Sequence, residues 1–240
     1  MTLALTGKTA LVTGGSRGIG RATVLRLVAD GARVVFTYRS AGDAADALAA
    51  ETGAVAVRCD QADLDTLPAV FEPVRDGLDI LVNNAGVALA KPITEITPAD
   101  FDRIMTINTK FPLFALQAAA PLMRDGGRII NISSINTVVP GPGGALYSAS
   151  KAALEQVTKV AARELGPRGI TVNTVSPGAT DTEMLRSVNT PEGLERVAAF
   201  TALQRLGTPA DVAAVIAFLA GPDSAWITGQ NIHAGGGFLV

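Results

Sequence analysis

Short runs of uninterrupted apolar residues alternate along the chain with longer segments whose apolar positions recur at helical spacing. The runs read as strands buried on both faces, and the periodic segments as helices crossing between them. Strands are predicted at Thr9 to Val12, Val34 to Thr37, Val55 to Arg58, Ile80 to Asn83, Arg128 to Ile132, Thr171 to Val175 and Asn231 to Ala234. Helix punctuation agrees. Asp30-Gly31 closes the first helix, Thr97-Pro98 with Asp100 opens the fourth, Gly166-Pro167 closes the fifth, and Thr208-Pro209 with Asp211 opens the last. No linker, repeat or low-complexity tract interrupts the alternation, so the expected fold is α/β: a doubly wound, seven-stranded parallel sheet (Rossmann fold) in one domain over residues 1–240. Such sheets take ligands beyond the carboxyl ends of their strands, which directs attention to the loops there.

Composition acts mainly by exclusion. The chain has 20 Lys plus Arg against 22 Asp plus Glu, a formal charge of −2, with 48% apolar residues. A nucleic-acid binder usually shows a basic excess, so no nucleic-acid partner is expected. One cysteine, Cys59, and one histidine, His233, leave no material for a disulfide framework or a zinc site, and no hydrolytic triad unless His233 serves it. No metal is expected. The longest apolar run, Val212 to Ala220, is about nine residues against the roughly 18 to 20 needed to span a bilayer. Met1 to Thr13 shows no basic region followed by an apolar one. The expectation is a cytoplasmic protein without a membrane partner, in which Cys59 is a small buried hydrophobe. Its 25 glycines exceed the ~7% average and predict close helix–sheet contact or subunit interfaces.

The first loop beyond a strand reads Thr13, Gly14, Gly15, Ser16, Arg17, Gly18, Ile19, Gly20 and leads directly into a helix carrying Val24, Leu27 and Val28. Glycines there let the backbone pass close under a pyrophosphate, while the helix amino terminus offers free N–H groups and the positive end of its dipole. The spacing is Gly-x3-Gly-x-Gly, so the strand–turn–helix context carries the dinucleotide reading, with a plain tight turn as its alternative. The second strand ends Thr37, Tyr38, Arg39, Ser40, with no acid for a ribose 2′-hydroxyl. Arg39 and Arg17 suit a 2′-phosphate instead, which makes NADP(H) the expected cofactor; two solvated arginines are the alternative.

Tyr147 and Lys151 stand four residues apart at the start of a long helix, so phenol and ammonium project from one face. Ser133-Ser134 lies at the carboxyl end of the predicted strand Arg128 to Ile132. Asn108 sits inside a predicted helix, where Asn is a mediocre former, and so asks for a reason; capping a bend is the plain one.

Taken together, these residues resemble the short-chain dehydrogenase/reductase family over essentially the whole chain. Asp60, Asn83-Asn84-Ala85-Gly86 and Pro177-Gly178 with Thr182 complete the pattern, and Tyr147 to Gly178 and Trp226 to Gly237 are similar to 3-oxoacyl-carrier-protein reductases and their carbonyl-reductase and sugar-dehydrogenase relatives. The resemblance implies Tyr147 as general acid, Ser134 orienting the carbonyl, and Asn108 holding a water that links Lys151 to solvent. Lys151 would hold the nicotinamide ribose and lower the phenol, which from its ordinary value near ~10 needs about three units to act near neutrality. It further implies Gly14, Ser16, Arg17, Gly18, Ile19 and Gly20 on the phosphates, Asp60 on the adenine amino group and Asn84, Ala85 and Gly86 along the adenosine ribose. Pro177, Gly178, Thr180 and Thr182 would meet the nicotinamide.

The expected activity is NADPH-dependent reduction of a ketone, aldehyde or 3-oxoacyl group to the alcohol, reversibly. A carrier-bound acyl substrate, a sugar or polyol, and a non-catalytic dinucleotide sensor stay open as alternatives. Residues 181–207 read as a lid, with Met184, Leu185, Val188, Val197 and Phe200 facing either substrate or their own packing. The expected partner besides a small molecule is the chain itself, in a homotetramer built from Asp100 to Met123, Tyr147 to Leu165 and Phe238-Leu239-Val240. The motive is the alanines Ala115, Ala118, Ala119, Ala152, Ala153, Ala161 and Ala162.

Overall fold

The computed structural model describes residues 3–238. Its sheet is built from β1 (Thr9–Val12), β2 (Arg33–Tyr38), β3 (Val55–Arg58), β4 (Leu78–Asn83), β5 (Met123–Ile132), β6 (Thr171–Pro177) and β7 (Asn231–Ala234). All neighbours pair in parallel, in the order β3-β2-β1-β4-β5-β6-β7. The winding reverses between β1 and β4, and a crevice opens there at the carboxyl edge. Strands β1, β4 and β6 are buried at every position, as strands covered on both faces must be.

The helices are α1 (Gly18–Ala29), α2 (Gly42–Thr52), α3 (Leu67–Phe71), α4 (Pro98–Met105), α5 (Phe111–Ala119), α6 (Ala145–Leu165), α7 (Glu183–Ser187), α8 (Pro191–Ala199) and α9 (Pro209–Ala220). Helices α1, α2 and α9 bury Val24, Leu27, Leu48 and Ile216 against one face of the sheet. Helices α3, α5 and α6 bury Phe71, Phe111 and Ala161 against the other. Thr97 and Thr208 each close a reciprocal capping box, with Asp100 and Asp211, at the predicted starts of α4 and α9.

Three expectations change. The helix expected to reach Met123 ends at Ala119, and Met123 already pairs with Leu78 as the first residue of β5. Gly126, at φ 77, then bends the strand, and regular pairing resumes at Arg128 with Ile80. The single helix expected around Asn108 is split by one π-helical turn, Thr106–Lys110. Pro112 has no N–H for the Asn108 carbonyl, so the α-helical ladder cannot run through it. Finally, Ala115, Ala119, Ala161 and Ala162 are buried in this chain's own core and form no outer surface. Their small side chains let α5 and α6 approach the sheet.

Cys59 is buried, as expected, and burial raises its thiol. No helix among the described residues is long and apolar enough to cross a membrane, and no cluster among them has the makings of a metal site.

Candidate active site

The crevice edge is stitched together by one threonine. Thr13, just past β1, accepts through Oγ1 from the backbone N–H of Asn84 at 3.0 Å and of Ala85 at 3.1 Å. Asn84 Nδ2 returns hydrogen bonds to Thr13 O at 2.9 Å and Gly14 O at 3.2 Å. The Gly14 N–H is taken by Thr37 Oγ1 from β2 at 3.1 Å. The loops after β1, β2 and β4 are therefore one hydrogen-bonded unit before any ligand arrives.

Glycine is required in it on two counts. Gly14 has φ +67, and a Cβ there would lie 2.8 Å from Ala85 Cβ; a Cβ on Gly20 would collide with Gly14 O. Helix α1 opens on this cradle with Arg17 at its cap, no side chain bonding its first N–H groups, and no acid in its first turn. An amino terminus left open and uncountered is a seat for an anion. Buried Ser16, half-buried Gly18 and Ile19, and buried Gly20 surround this terminus.

At the opposite side of the crevice, α6 carries Tyr147 and Lys151. A buried line of amides and hydroxyls fixes it in register with the sheet. Asn83 Nδ2 donates to Asn131 Oδ1 at 2.9 Å, Asn131 Nδ2 donates to Thr158 Oγ1 at 2.8 Å, and Thr174 Oγ1 donates to Thr158 Oγ1 at 2.8 Å. One turn closer to the edge, Glu155 Oε1 accepts from Ser133 Oγ at 2.6 Å. Lys151, 3% exposed, donates from Nζ to Ile132 O at 2.8 Å. Desolvation lowers its ammonium to about 8.

Tyr147 is half-buried above it. Burial raises the phenol, and the nearby Ser134 hydroxyl pulls the other way without winning. Lys151, whose Nζ bonds the Ile132 carbonyl, is not among the groups that act on the phenol here. Tyr147 is thus a protonated phenol across the neutral range. Ser134 is buried and accepts through Oγ from Asn136 N at 3.2 Å.

Asn108 is fully buried on the π turn. Its Oδ1 accepts from Val87 N at 2.9 Å, and its Nδ2 donates to Val87 O at 2.9 Å and to Ser150 Oγ at 3.0 Å. Between Asn108 and Lys151 lies Gly86, where a Cβ would sit 3.1 Å from Lys151 Nζ and 3.2 Å from Asn108 Oδ1. The missing side chain leaves both groups bordering one space, which suits the expected water.

Pro177 ends β6, and Gly178 packs so closely on Gly235 that a Cβ would stand 2.7 Å from Gly235 Cα. Thr180 pairs with Gly207, closing the base of segment 181–207, and Thr182 caps α7 by accepting from Leu185 N at 3.3 Å. Asp60 is exposed, with Oδ1 accepting from Ala62 N at 3.0 Å.

The structure departs from the sequence reading at the arginines. Arg39 lines a small cleft beyond β2 with Tyr38, Ser40, Gly42 and Arg58. Arg17 does not line it; its Nη1 is 2.6 Å from Glu183 Oε2 on α7. From the cap of α1, Arg17 reaches toward the segment after β6 and away from β2. Arg58, Thr13, Thr37 and Glu155 are the site residues that sequence reasoning missed. The signal for Arg58 is positional: it ends the strand paired beside Tyr38.

The donor set fits a dinucleotide: an open, acid-free helix terminus, a cradle without room for side chains, and a buried ammonium with a single recorded acceptor. Residues 14–239 match the family model described as enoyl-(acyl carrier protein) reductase. A cyclic-di-GMP-binding biofilm dispersal mediator protein of Escherichia coli K12 is 46% identical over 240 residues, 98% of each chain. The structure of a blue fluorescent protein from a metagenomic library, in complex with NADPH, is 44% identical with a TM-score of 0.92, covering 99% of this chain and 100% of that one. An angucycline C-6 ketoreductase with bound NADP is 42% identical with a TM-score of 0.92, covering 98% and 97%.

Proposed function

Since the chain belongs to the short-chain dehydrogenase/reductase family, we propose that it is an oxidoreductase that uses NADPH to reduce a ketone or aldehyde to the alcohol. The observation that carries this reading is geometric: the Tyr147 phenol lies within reach of the buried Ser134 hydroxyl, with the buried Lys151 ammonium one helical turn on. Reduction needs a proton donor at the carbonyl oxygen, and the phenol is assigned that task.

In this reading the bound dinucleotide supplies the hydride. Tyr147 donates its proton to the carbonyl oxygen, and Ser134 Oγ holds that oxygen by a hydrogen bond. Lys151 holds the ribose hydroxyls with the N–H bonds that Ile132 O leaves over. Asn108 keeps the Val87 backbone and Ser150 in place and borders the space through which the spent proton is restored. Ser16, Gly18, Ile19 and Gly20 take the phosphates and Arg39 the 2′-phosphate. Asp60 takes the adenine amino group, Asn84, Ala85 and Gly86 lie along the adenosine ribose, and Pro177, Gly178, Thr180 and Thr182 meet the nicotinamide.

Residues 181–207 act as a lid over the substrate. Supporting this, Met184, Val188 and Phe200 are 41%, 47% and 73% exposed, which is unlike ordinary packing. Val138 and Val139, beyond β5, are also exposed and bring no charge, which favours an uncharged carbonyl compound over a strongly anionic one. The working form is a cytoplasmic homotetramer. With the buried alanines set aside, its interface rests on Phe101, Leu113 and Val160, exposed on α4, α5 and α6. Leu239 and Val240, also expected there, lie outside the described residues. Light scattering at micromolar concentration checks the assembly, and a monomer contradicts it.

A second reading follows from the Escherichia coli relative. Cyclic-di-GMP, like NADPH, presents purines and phosphates, which the glycine cradle and Arg39 would meet in the same way. The two are separated by following NADPH absorbance with a panel of uncharged ketones and identifying the alcohol by mass spectrometry. NADPH consumption matched by alcohol supports the reductase. No turnover together with displacement of NADPH by cyclic-di-GMP supports the binding protein.

A further inference from the structure

Past the carboxyl ends of β2 and β3, a cleft of about 220 Å3 is walled by Tyr38, Arg39, Ser40, Gly42 and Arg58. Pairing of Tyr38 with Arg58 sets the two strand ends side by side, and Arg39 and Arg58 both line the space beyond them. Neither Arg39 nor Arg58 makes an ion pair or side-chain hydrogen bond among the described residues. The neighbouring arginines differ: Arg17 is held by Glu183 at 2.6 Å and Arg21 by Glu51 at 2.8 Å. Two like charges sharing a cleft repel, and an anion between them relieves the repulsion.

The nearby acids do not fill that role. Asp43, in the first turn of α2, and exposed Asp60 form no ion pair with either arginine among the described residues. Helix α2 starts at the cleft wall with no side chain bonding its first N–H groups, which adds to the positive field without defining the site. A phosphate monoester, with its double charge and several oxygens, matches two planar guanidiniums and the Ser40 hydroxyl.

Resting on the NADPH reading above, we infer that Arg58 acts with Arg39 as a reader of the adenosine 2′-phosphate. Arg17 ties the glycine loop to α7 through Glu183. Selectivity for the phosphorylated dinucleotide is then split between the ends of two adjacent strands, and the residue after β2 alone does not account for it.

The test uses two probes that differ only in the 2′-phosphate, 2′,5′-ADP and 5′-AMP, titrated calorimetrically into the full chain. The wild type is expected to bind 2′,5′-ADP at least ~10-fold more tightly. Arg58→Leu should erase most of that ratio while leaving 5′-AMP affinity unchanged, and Arg58→Lys should fall between, keeping charge without the fork. Arg58 ends an edge strand and is exposed, so thermal melting of these variants should match the wild type. If the wild type prefers 2′,5′-ADP and both Arg58 variants do as well, the role of Arg58 is overturned and the NADPH reading stands. If the wild type shows no preference, both fall.

Discussion

The two sides of the crevice are built on opposite principles. On the cofactor side, three loops are tied together: Thr13 accepts from the N–H groups of Asn84 and Ala85, Thr37 accepts from that of Gly14, and Gly14 and Gly20 have no room for a Cβ. On the substrate side, segment 181–207 is anchored at its base by the Thr180 and Gly207 pairing and carries large apolar groups facing solvent. The first is a seat whose shape is set by backbone. In the proposed reading the second is a cover, anchored at its base and apolar on its outer surface. Lys151 lies on the boundary, buried like the seat yet carrying a charge that burial disfavours.

The comparison is strained most by Lys151→Met. Turnover should fall on the order of 100-fold or more and NADPH affinity about 10-fold, since one ammonium serves proton delivery and ribose. Its lowered value of about 8 also sets a pH dependence: NADPH affinity should weaken as pH rises through about 8 in the wild type and lose that break in the variant. The sign for stability is the reverse of the usual carboxylate case. A lysine whose folded value lies below its unfolded 10.5 weakens the fold fully below about 8, and the penalty fades as pH rises toward 10.5. Removing it should therefore leave melting at pH 7 unchanged or raised, by at most about 3 kcal/mol less the lost bond to Ile132. Melting curves at pH 7 and pH 10 check this, with the variant's advantage shrinking at the higher pH.

Next in size is Gly20→Ala. Forcing a methyl group against Gly14 O costs about 1–3 kcal/mol, so NADPH affinity should drop roughly 10- to 100-fold as the loop shifts. Fluorescence titration measures it, and an unchanged affinity would mean that the seat is less rigid than its contacts indicate. Arg39→Asp should cut the preference for NADPH over NADH in kcat/KM by at least ~10-fold, or invert it, by repelling the 2′-phosphate. Steady-state kinetics with both cofactors decide that. The smallest effect is expected on the cover. Met184→Ser and Val188→Ser should change stability by less than ~0.5 kcal/mol, while KM for an apolar ketone rises a few fold and KM for NADPH stays put.

What could be read from sequence follows the same division. The seat depends on short-range chemistry, glycines between a strand and a helix, and the capping pairs Thr97 with Asp100 and Thr208 with Asp211, all legible one after another along the chain. The strand cores were legible because burial on both faces leaves no polar alternation. What sequence could not show were the long-range pairings. Arg58 reaches the arginine cleft only through the register of β2 with β3, and Arg17 leaves it through an ion pair to Glu183 on a distant helix. The burial of Ala115 and Ala161 likewise depends on how closely α5 and α6 approach the sheet. The phenol of Tyr147 is raised by burial, with the Ser134 hydroxyl opposing it, and how deeply a side chain is buried is a tertiary property that no local spacing shows.

Tyr147 is the residue on which the reductase reading turns, and a single-turnover comparison of the wild type with Tyr147→Phe addresses it most directly. The variant removes one acidic proton and little else. With enzyme in excess over a ketone that the wild type reduces, and NADPH binding measured in parallel, the variant should bind NADPH within a few fold of the wild type and reduce the ketone at least ~100-fold more slowly. A Phe variant that keeps a tenth of the wild-type rate would contradict Tyr147 as the acid.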